Sequence, residues 1–334
     1  MSANTQTMFS AREMPWHGQG VNVPNEVDSE EALRLSGLDW EVELQPMFVK
    51  RENSYVDVSS AFVIVRKDND AVLGVTGSRY KPVQNKEVFR ILDSVVGEGL
   101  LSFHTAGALG NGEKVWALCR LPGNIGTEID KIEKFILVSN SHDGSKTLSV
   151  LITPIRVVCQ NTLNFALSHK ESNLFKSYKH TLNVSSKAIV GARELIDLAE
   201  KGFESFEHLR KDLSSRPFSN TQMVQTILTL LKPKDIHKVE DLSPRTIRTW
   251  KTIYTCWENG RGANLEGVKD TAWGAVNAFT EYADWYQPVR DVAGSVLFGS
   301  GARLKSEALE KVLSISNSSE LKSTEFDDIF FSYN

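Results

Sequence analysis

The apolar residues of this chain change period partway along it, and that change limits the fold more than composition does. From Trp40 to Val75 they follow a strand pattern: Tyr55, Val56 and Val58, then Phe62, Ile64 and Val65, then Val72, Leu73 and Val75, with Asp68-Asn69-Asp70 as a turn before the last run. Asn85 opens a helical stretch in which Val88, Phe89, Leu92, Val95 and Val96 recur at three to four residues. Strand patterns return at 101–106, 114–121, 134–139 and 147–152, joined in part by Asn111-Gly112 and His142-Asp143-Gly144, where glycine accepts the positive φ of a hairpin turn. From Ser185 onward the period is helical almost throughout. The expected fold class is therefore α+β: a central antiparallel sheet with flanking helices, followed by a mostly helical C-terminal region.

This reading divides the chain into four parts. Residues 1–25 hold few apolar positions and contain Pro15, Gly18, Gly20 and Pro24, so they read as an extended arm. The α+β core domain spans 26–184; Asp28 caps its first helix with Glu31 three residues later, Thr153-Pro154 marks the end of the sheet, and a helix follows from Arg156 towards His169. The helical region, 185–313, starts with a helix of about 25 residues whose stripe runs through Leu195, Ala199, Phe203 and Phe206. Its later aromatic face of Trp273, Phe279, Tyr282 and Trp285 suits a core or an interface between copies of the chain, so a homo-oligomer is expected. Residues 314–334 form a Ser-rich stretch and an acidic-aromatic tail.

Composition excludes several classes. No apolar run approaches 18 residues, so no membrane span is expected, and residues 1–13 lack the apolar centre of a secretory signal. The expected location is cytoplasmic. Cys119, Cys159 and Cys256 are widely spaced and fit neither a disulfide framework nor a zinc site. The histidines show no metal-ligand spacing, no phosphate-loop motif is present, and neither a metal nor a cofactor is expected. Cys159 with His142 and Asn161 suggests a thiol hydrolase only weakly, because Val157-Val158-Cys159 reads as a buried apolar run. No catalytic residue is assigned.

Five strings carry a family resemblance: residues 14–18 (MPWHG), 79–85 (RYKPVQN), 139–145 (SNSHDGS), 153–163 (TPIRVVCQNTL) and 297–305 (LFGSGARLK). In this order they resemble the phage/plasmid-like protein family, a mobile-element domain family of unknown function, over residues 14 to 310. The resemblance implies a role in phage or plasmid DNA replication, recombination or counter-defence. The order helix, antiparallel strands, helix is also similar to the core of phage single-strand annealing proteins, whose members bind single-stranded DNA as oligomeric rings.

The net charge is −4, so any site for a polyanion must be local. Residues 151–191 supply one: Arg156, Lys170, Lys176, Lys179 and Lys187 stand against Glu171, with Phe175 and Tyr178 interleaved. Cations neutralise phosphates while aromatic faces stack on bases of any sequence, the combination that single-stranded nucleic acid requires. Arg79 and Lys81, just before the helix that starts near Asn85, are a second candidate phosphate contact. The expected function is a phage or mobile-element DNA-transaction protein that binds single-stranded DNA through Arg79, Lys81, Arg156, Lys170, Lys176 and Lys179, with Phe175 and Tyr178 stacking. The alternative is a counter-defence or host-factor-binding protein that docks through its helical half. The segment 326–331 resembles the acidic-aromatic tips with which single-strand-binding proteins recruit protein partners, although Ser332, Tyr333 and Asn334 follow it here. The same apolar residues also suit packing on the helical region.

Overall fold

The computed structural model describes residues 5–12, 20–96, 102–156, 161–162, 174–236, 238–289, 295, 299–317, 326 and 328–331. It is an α+β protein in which one sheet has the strand order β10-β9-β8-β7-β6-β1-β2, with β11 pairing on β9. These strands are β1 (Thr5–Ala11), β2 (Val21–Val23), β6 (Ser102–Leu109), β7 (Lys114–Gly126), β8 (Lys131–Ser141), β9 (Leu148–Arg156), β10 (Asn161–Thr162) and β11 (Phe175–Tyr178). A separate antiparallel sheet holds β3 (Val42–Lys50), β4 (Tyr55–Arg66) and β5 (Val72–Gly77). The helices are α1 (Ser29–Leu35), α2 (Asn85–Val96), α3 (Val184–Ser215), α4 (Asn220–Leu231), α5 (Pro244–Asn259), α6 (Ala272–Glu281), α7 (Ser300–Ser316) and α8 (Asp328–Phe331). Among the described residues, no helix is long and apolar enough to cross a membrane.

The chain forms two compact units, both discontinuous in sequence. Unit 1 comprises 1–123, 134–153 and 173–200; unit 2 comprises 124–133, 154–172 and 201–334. The boundaries between these units fall within β7, β8, β9 and α3, while the division expected after residue 184 lies at the start of α3. Unit 1 has its core where β1 and β6 meet α2. Phe9 is fully buried opposite Ala106, and Phe103 stacks on Phe89 with centroids 5.2 Å apart. The expected N-terminal arm is therefore strand over 5–11, because Met8, Phe9 and Ala11 supply enough apolar surface to add a strand to the sheet.

Unit 2 is built around α6, every residue of which is buried. The aromatic face singled out above belongs to that core: Trp273 and Phe279 are fully buried, Tyr282 nearly so, and Trp273 donates to Asp130 Oδ2 at 3.0 Å. Those three side chains therefore offer no surface through which copies of the chain could associate. Lys305 of α7 is wholly buried against Asp284, with Nζ 2.8 Å from Oδ1. The described residues of the tail, 326 and 328–331, pack on unit 2. Phe326 and Ile329 are buried, and the Phe330 ring stacks on Trp250, so those two buried side chains are not available to a protein partner.

One further expectation needs correction. Arg156 does not open a helix, because β9 continues through Pro154 to Arg156. Ile152 donates its N–H outward to Leu174 O at 3.0 Å. Pro154, two residues on, has its nitrogen on that same side, between the β11 and β10 pairings, so its missing N–H removes no ladder bond. Cys159 and the rest of the expected helix, apart from Asn161 and Thr162 in β10, lie outside the described residues. The basic segment at 175–178, for which the sequence pattern assigned no element, is a strand paired antiparallel with residues 148–151.

Candidate nucleic-acid interface

The site is assembled in unit 1 from two of the strings noted in the sequence and from the residues after β11 that include His180. After β5 the chain turns at Gly77, where Tyr80 donates its N–H to Gly77 O at 3.1 Å. Pro82 holds the next residues extended until α2 begins at Asn85. Along this extended piece Lys81 donates its backbone N–H to His180 O at 3.0 Å. The Tyr80 ring stacks on the His180 ring at 4.8 Å, and its hydroxyl donates to Ser141 O at 3.1 Å. Burial raises the Tyr80 pKa, so the phenol keeps the proton it donates.

Below this surface lie two matching histidine–asparagine pairs. His180 Nε2 is 2.7 Å from Asn140 Oδ1, and Asn140 Nδ2 donates to Val83 O at 3.2 Å. His142 Nε2 is 2.9 Å from Asn85 Oδ1, and Asn85 Nδ2 donates to Trp40 O at 3.2 Å. In each pair the amide nitrogen is committed to a carbonyl, so the amide oxygen accepts and the histidine donates from Nε2. Burial, and for His142 also the nearby His180, lowers the two pKa values to about 3 for His142 and about 4 for His180. Both rings are neutral near pH 7. His142 is thus more than the hairpin-turn residue that its Asp-Gly sequel suggests: its backbone N–H donates to Glu113 O at 2.7 Å, and its ring packs 5.3 Å from Trp40. At Gly112 the φ of +110° and the Trp40 ring, 2.8 Å from where a Cβ would stand, leave no room for a side chain.

The pairs position the backbone and leave the neighbouring cations outside. Arg79, Lys81 and Lys179 are all exposed, and the Lys81–His180 bond brings their chain segments together. Exposed Lys146 lies two residues before Leu148, the register partner of Tyr178. In β11 the strand alternation separates the expected contacts. Phe175 is 43% exposed on one face. Lys176 and Tyr178 point the other way, onto α3, where Lys176 forms an ion pair with Glu194 and Tyr178 packs at Gly191. Lys170 lies outside the described residues, as does the side chain of Arg156.

The N-terminus of α2 does not offer its groups to a phosphate. Asn85 is buried, and the Gln84 N–H donates to the Glu87 carboxylate at 2.8 Å. The sequence reading also missed two aromatic residues. The pairing of β4 with β5 ends at Ala61–Gly77, so beyond it β3 and β4 continue as a two-stranded ribbon with Phe48 and Tyr55 exposed near its tip. Period-two patterning finds such a strand but not the absence of a neighbour. Among the described residues, no cluster of His, Cys, Asp and Glu could hold a metal ion.

A family model described as a domain of unknown function, DUF932, matches residues 72–305, well over half of the chain, and takes in both histidine–asparagine pairs. Its description names neither an activity nor a genomic setting. No curated protein and no solved structure matches the chain.

Proposed function

The chain belongs to the DUF932 family, whose activity is undefined, and we propose that this member binds single-stranded DNA through the exposed edge formed by residues 79–81 and 175–180 of unit 1. Arg79, Lys81 and Lys179 neutralise phosphates and Phe175 stacks on bases, with Phe48 and Tyr55 of the β3–β4 ribbon as additional stacking surfaces. The observation that carries the reading is the Lys81 N–H bond to His180 O, which joins two basic segments far apart in sequence. The setting in this proposal is a phage or other mobile element, and the role is protection or annealing of DNA during replication or recombination.

The alternative, docking of a host factor on the helical half, has less to rest on, since the large aromatics Trp273, Phe279 and Tyr282 of that half are buried in unit 2. Fluorescence anisotropy with labelled single-stranded oligonucleotides over a salt series tests the proposal. Binding should weaken steeply with salt, with a log–log slope of about −2 for three phosphate contacts on a single strand. No binding at low salt would sink it. Acceleration of complementary-strand annealing would then separate an annealing role from protection alone.

A further inference from the structure

Unit 2 carries a cavity of about 620 Å³ along the exposed side of α5, within the roughly 300–1,000 Å³ that small-molecule sites occupy. One wall is the α5 stripe of Ile247, Arg248, Lys251, Thr252 and Thr255, which helical spacing sets opposite the buried Trp250, Ile253, Tyr254 and Trp257. The other wall comprises Gly260, Arg261, Glu281 and Tyr286. Its charge is one-sided: Arg248, Lys251 and Arg261 line it together with one carboxylate, Glu281.

Arg261 is held in place. Its backbone N–H donates to Glu281 Oε2 at 2.9 Å, and its guanidinium carbon lies 3.7 Å from the ring centroid of Trp285. That backbone bond leaves the Gly260-Arg261-Gly262 turn without the N–H of its central residue, so an anion here is recognised by side chains. Arg248 and Lys251, three residues apart, share one helix face. Tyr286 is half-exposed at the rim. On the floor, burial and Glu281 raise the Cys256 thiol pKa, so it stays protonated and packs as a small apolar group. The site is therefore built to bind rather than to attack. Its apolar wall of Ile247, Cys256 and Tyr286 is more than an inorganic anion can use.

We infer that this cavity binds a phosphorylated nucleoside as a free small molecule, with the phosphate among Arg248, Lys251 and Arg261, the base on Tyr286, and the Glu281 carboxylate accepting from a ring amino group. The site is independent of the proposed DNA interface in unit 1. Isothermal titration calorimetry on the full chain tests it, using nucleoside monophosphates, inorganic phosphate and a 5′-phosphorylated oligonucleotide as probes. One monophosphate should bind per chain. Arg248→Ala and Tyr286→Ala should each weaken it by about tenfold or more, whereas Lys81→Ala should leave it unchanged and act only on DNA binding. Circular dichroism identical to wild type would show that these exposed substitutions preserve the fold. Any of three results would overturn the inference: no binding of any monophosphate, inorganic phosphate binding as tightly as the nucleotide, or affinity unchanged in both cavity variants. Arg248-dependent binding of the oligonucleotide but not of the monophosphates would also overturn it, by assigning the cavity to a strand end.

Discussion

His142 Nε2 lies 2.9 Å from Asn85 Oδ1, which joins the hairpin turn after β8 to the first residue of α2 through two side chains that are both buried. With His180 and Asn140, this makes a polar centre in unit 1 whose histidines burial keeps neutral near pH 7. Two of the family-like strings thus meet in hydrogen bonds that hold the backbone, one layer beneath the exposed cations.

A pH dependence of stability follows. Both folded pKa values lie below the ordinary value of 6.5, at about 3 and about 4. The contribution is complete above about pH 6.5 and is lost as the pH falls, because the unfolded chain takes up protons that the folded chain excludes. Each histidine contributes up to about 1.4 kcal/mol per pH unit in that window. Urea denaturation at pH 7.5, 6.5 and 5.5 should show falling stability, and His142→Gln should flatten the trend. A flat wild-type profile would contradict the buried neutral assignment.

The proposed DNA interface makes a contrast between two lysines of one short segment. Lys179→Ala, like Lys81→Ala, should weaken single-strand binding and flatten the salt slope by about 0.7. Lys176→Ala should change neither quantity, because Lys176 is paired with Glu194 on the opposite face of β11. A loss at Lys176 equal to that at Lys179 would show that the strand alternation does not govern the contact.

Gly191 supplies a steric test of how β11 sits on α3. Alanine in a helix interior normally gains roughly 0.5–1 kcal/mol over glycine. Here a Cβ would run into the Tyr178 hydroxyl and come within 2.9 Å of Lys176 Cδ. Gly191→Ala should therefore lose about 1–3 kcal/mol, and adding Tyr178→Ala should return part of it. A double-mutant cycle from denaturant melts measures that coupling. Additive effects would place Tyr178 away from the helix.

Deleting residues 325–334 removes Phe326 and Ile329 from unit 2 and uncovers Trp250. Burial of side chains of this size is worth about 1.5–3 kcal/mol each, so the truncated chain should melt at a clearly lower temperature. Single-strand affinity should not rise, since a packed tail does not compete for DNA. An unchanged melting temperature with tighter binding is the outcome that would restore the free-tail reading.

Much of the architecture was legible because burial leaves a periodic trace. Phe62, Ile64 and Val65 announced β4, and Leu195, Ala199, Phe203 and Phe206 announced α3. What stayed hidden depends on neighbours that local pattern does not encode. Phe175–Tyr178 mixes a lysine and a serine with two aromatics over four residues, so only its pairing with β9 makes it a strand. Proline is excluded from most strand interiors, and the position of Pro154 between two edge partners lets β9 run through it. The cations of the candidate site were visible individually. The bond between Lys81 and His180 that gathers them was not, because no spacing rule links residues so far apart in the chain.

The discontinuity of the two units sets how this protein can be inherited. Because residues of each unit alternate along β7, β8, β9 and α3, a genetic crossover between codons 124 and 200 hands both units a mixture of segments from two parents, whereas one outside that stretch leaves one unit whole. Neither unit can be exchanged as a cassette. Exchange between diverged copies of the gene is then tolerated chiefly outside codons 124–200, and that stretch should pass from ancestor to descendant as one block.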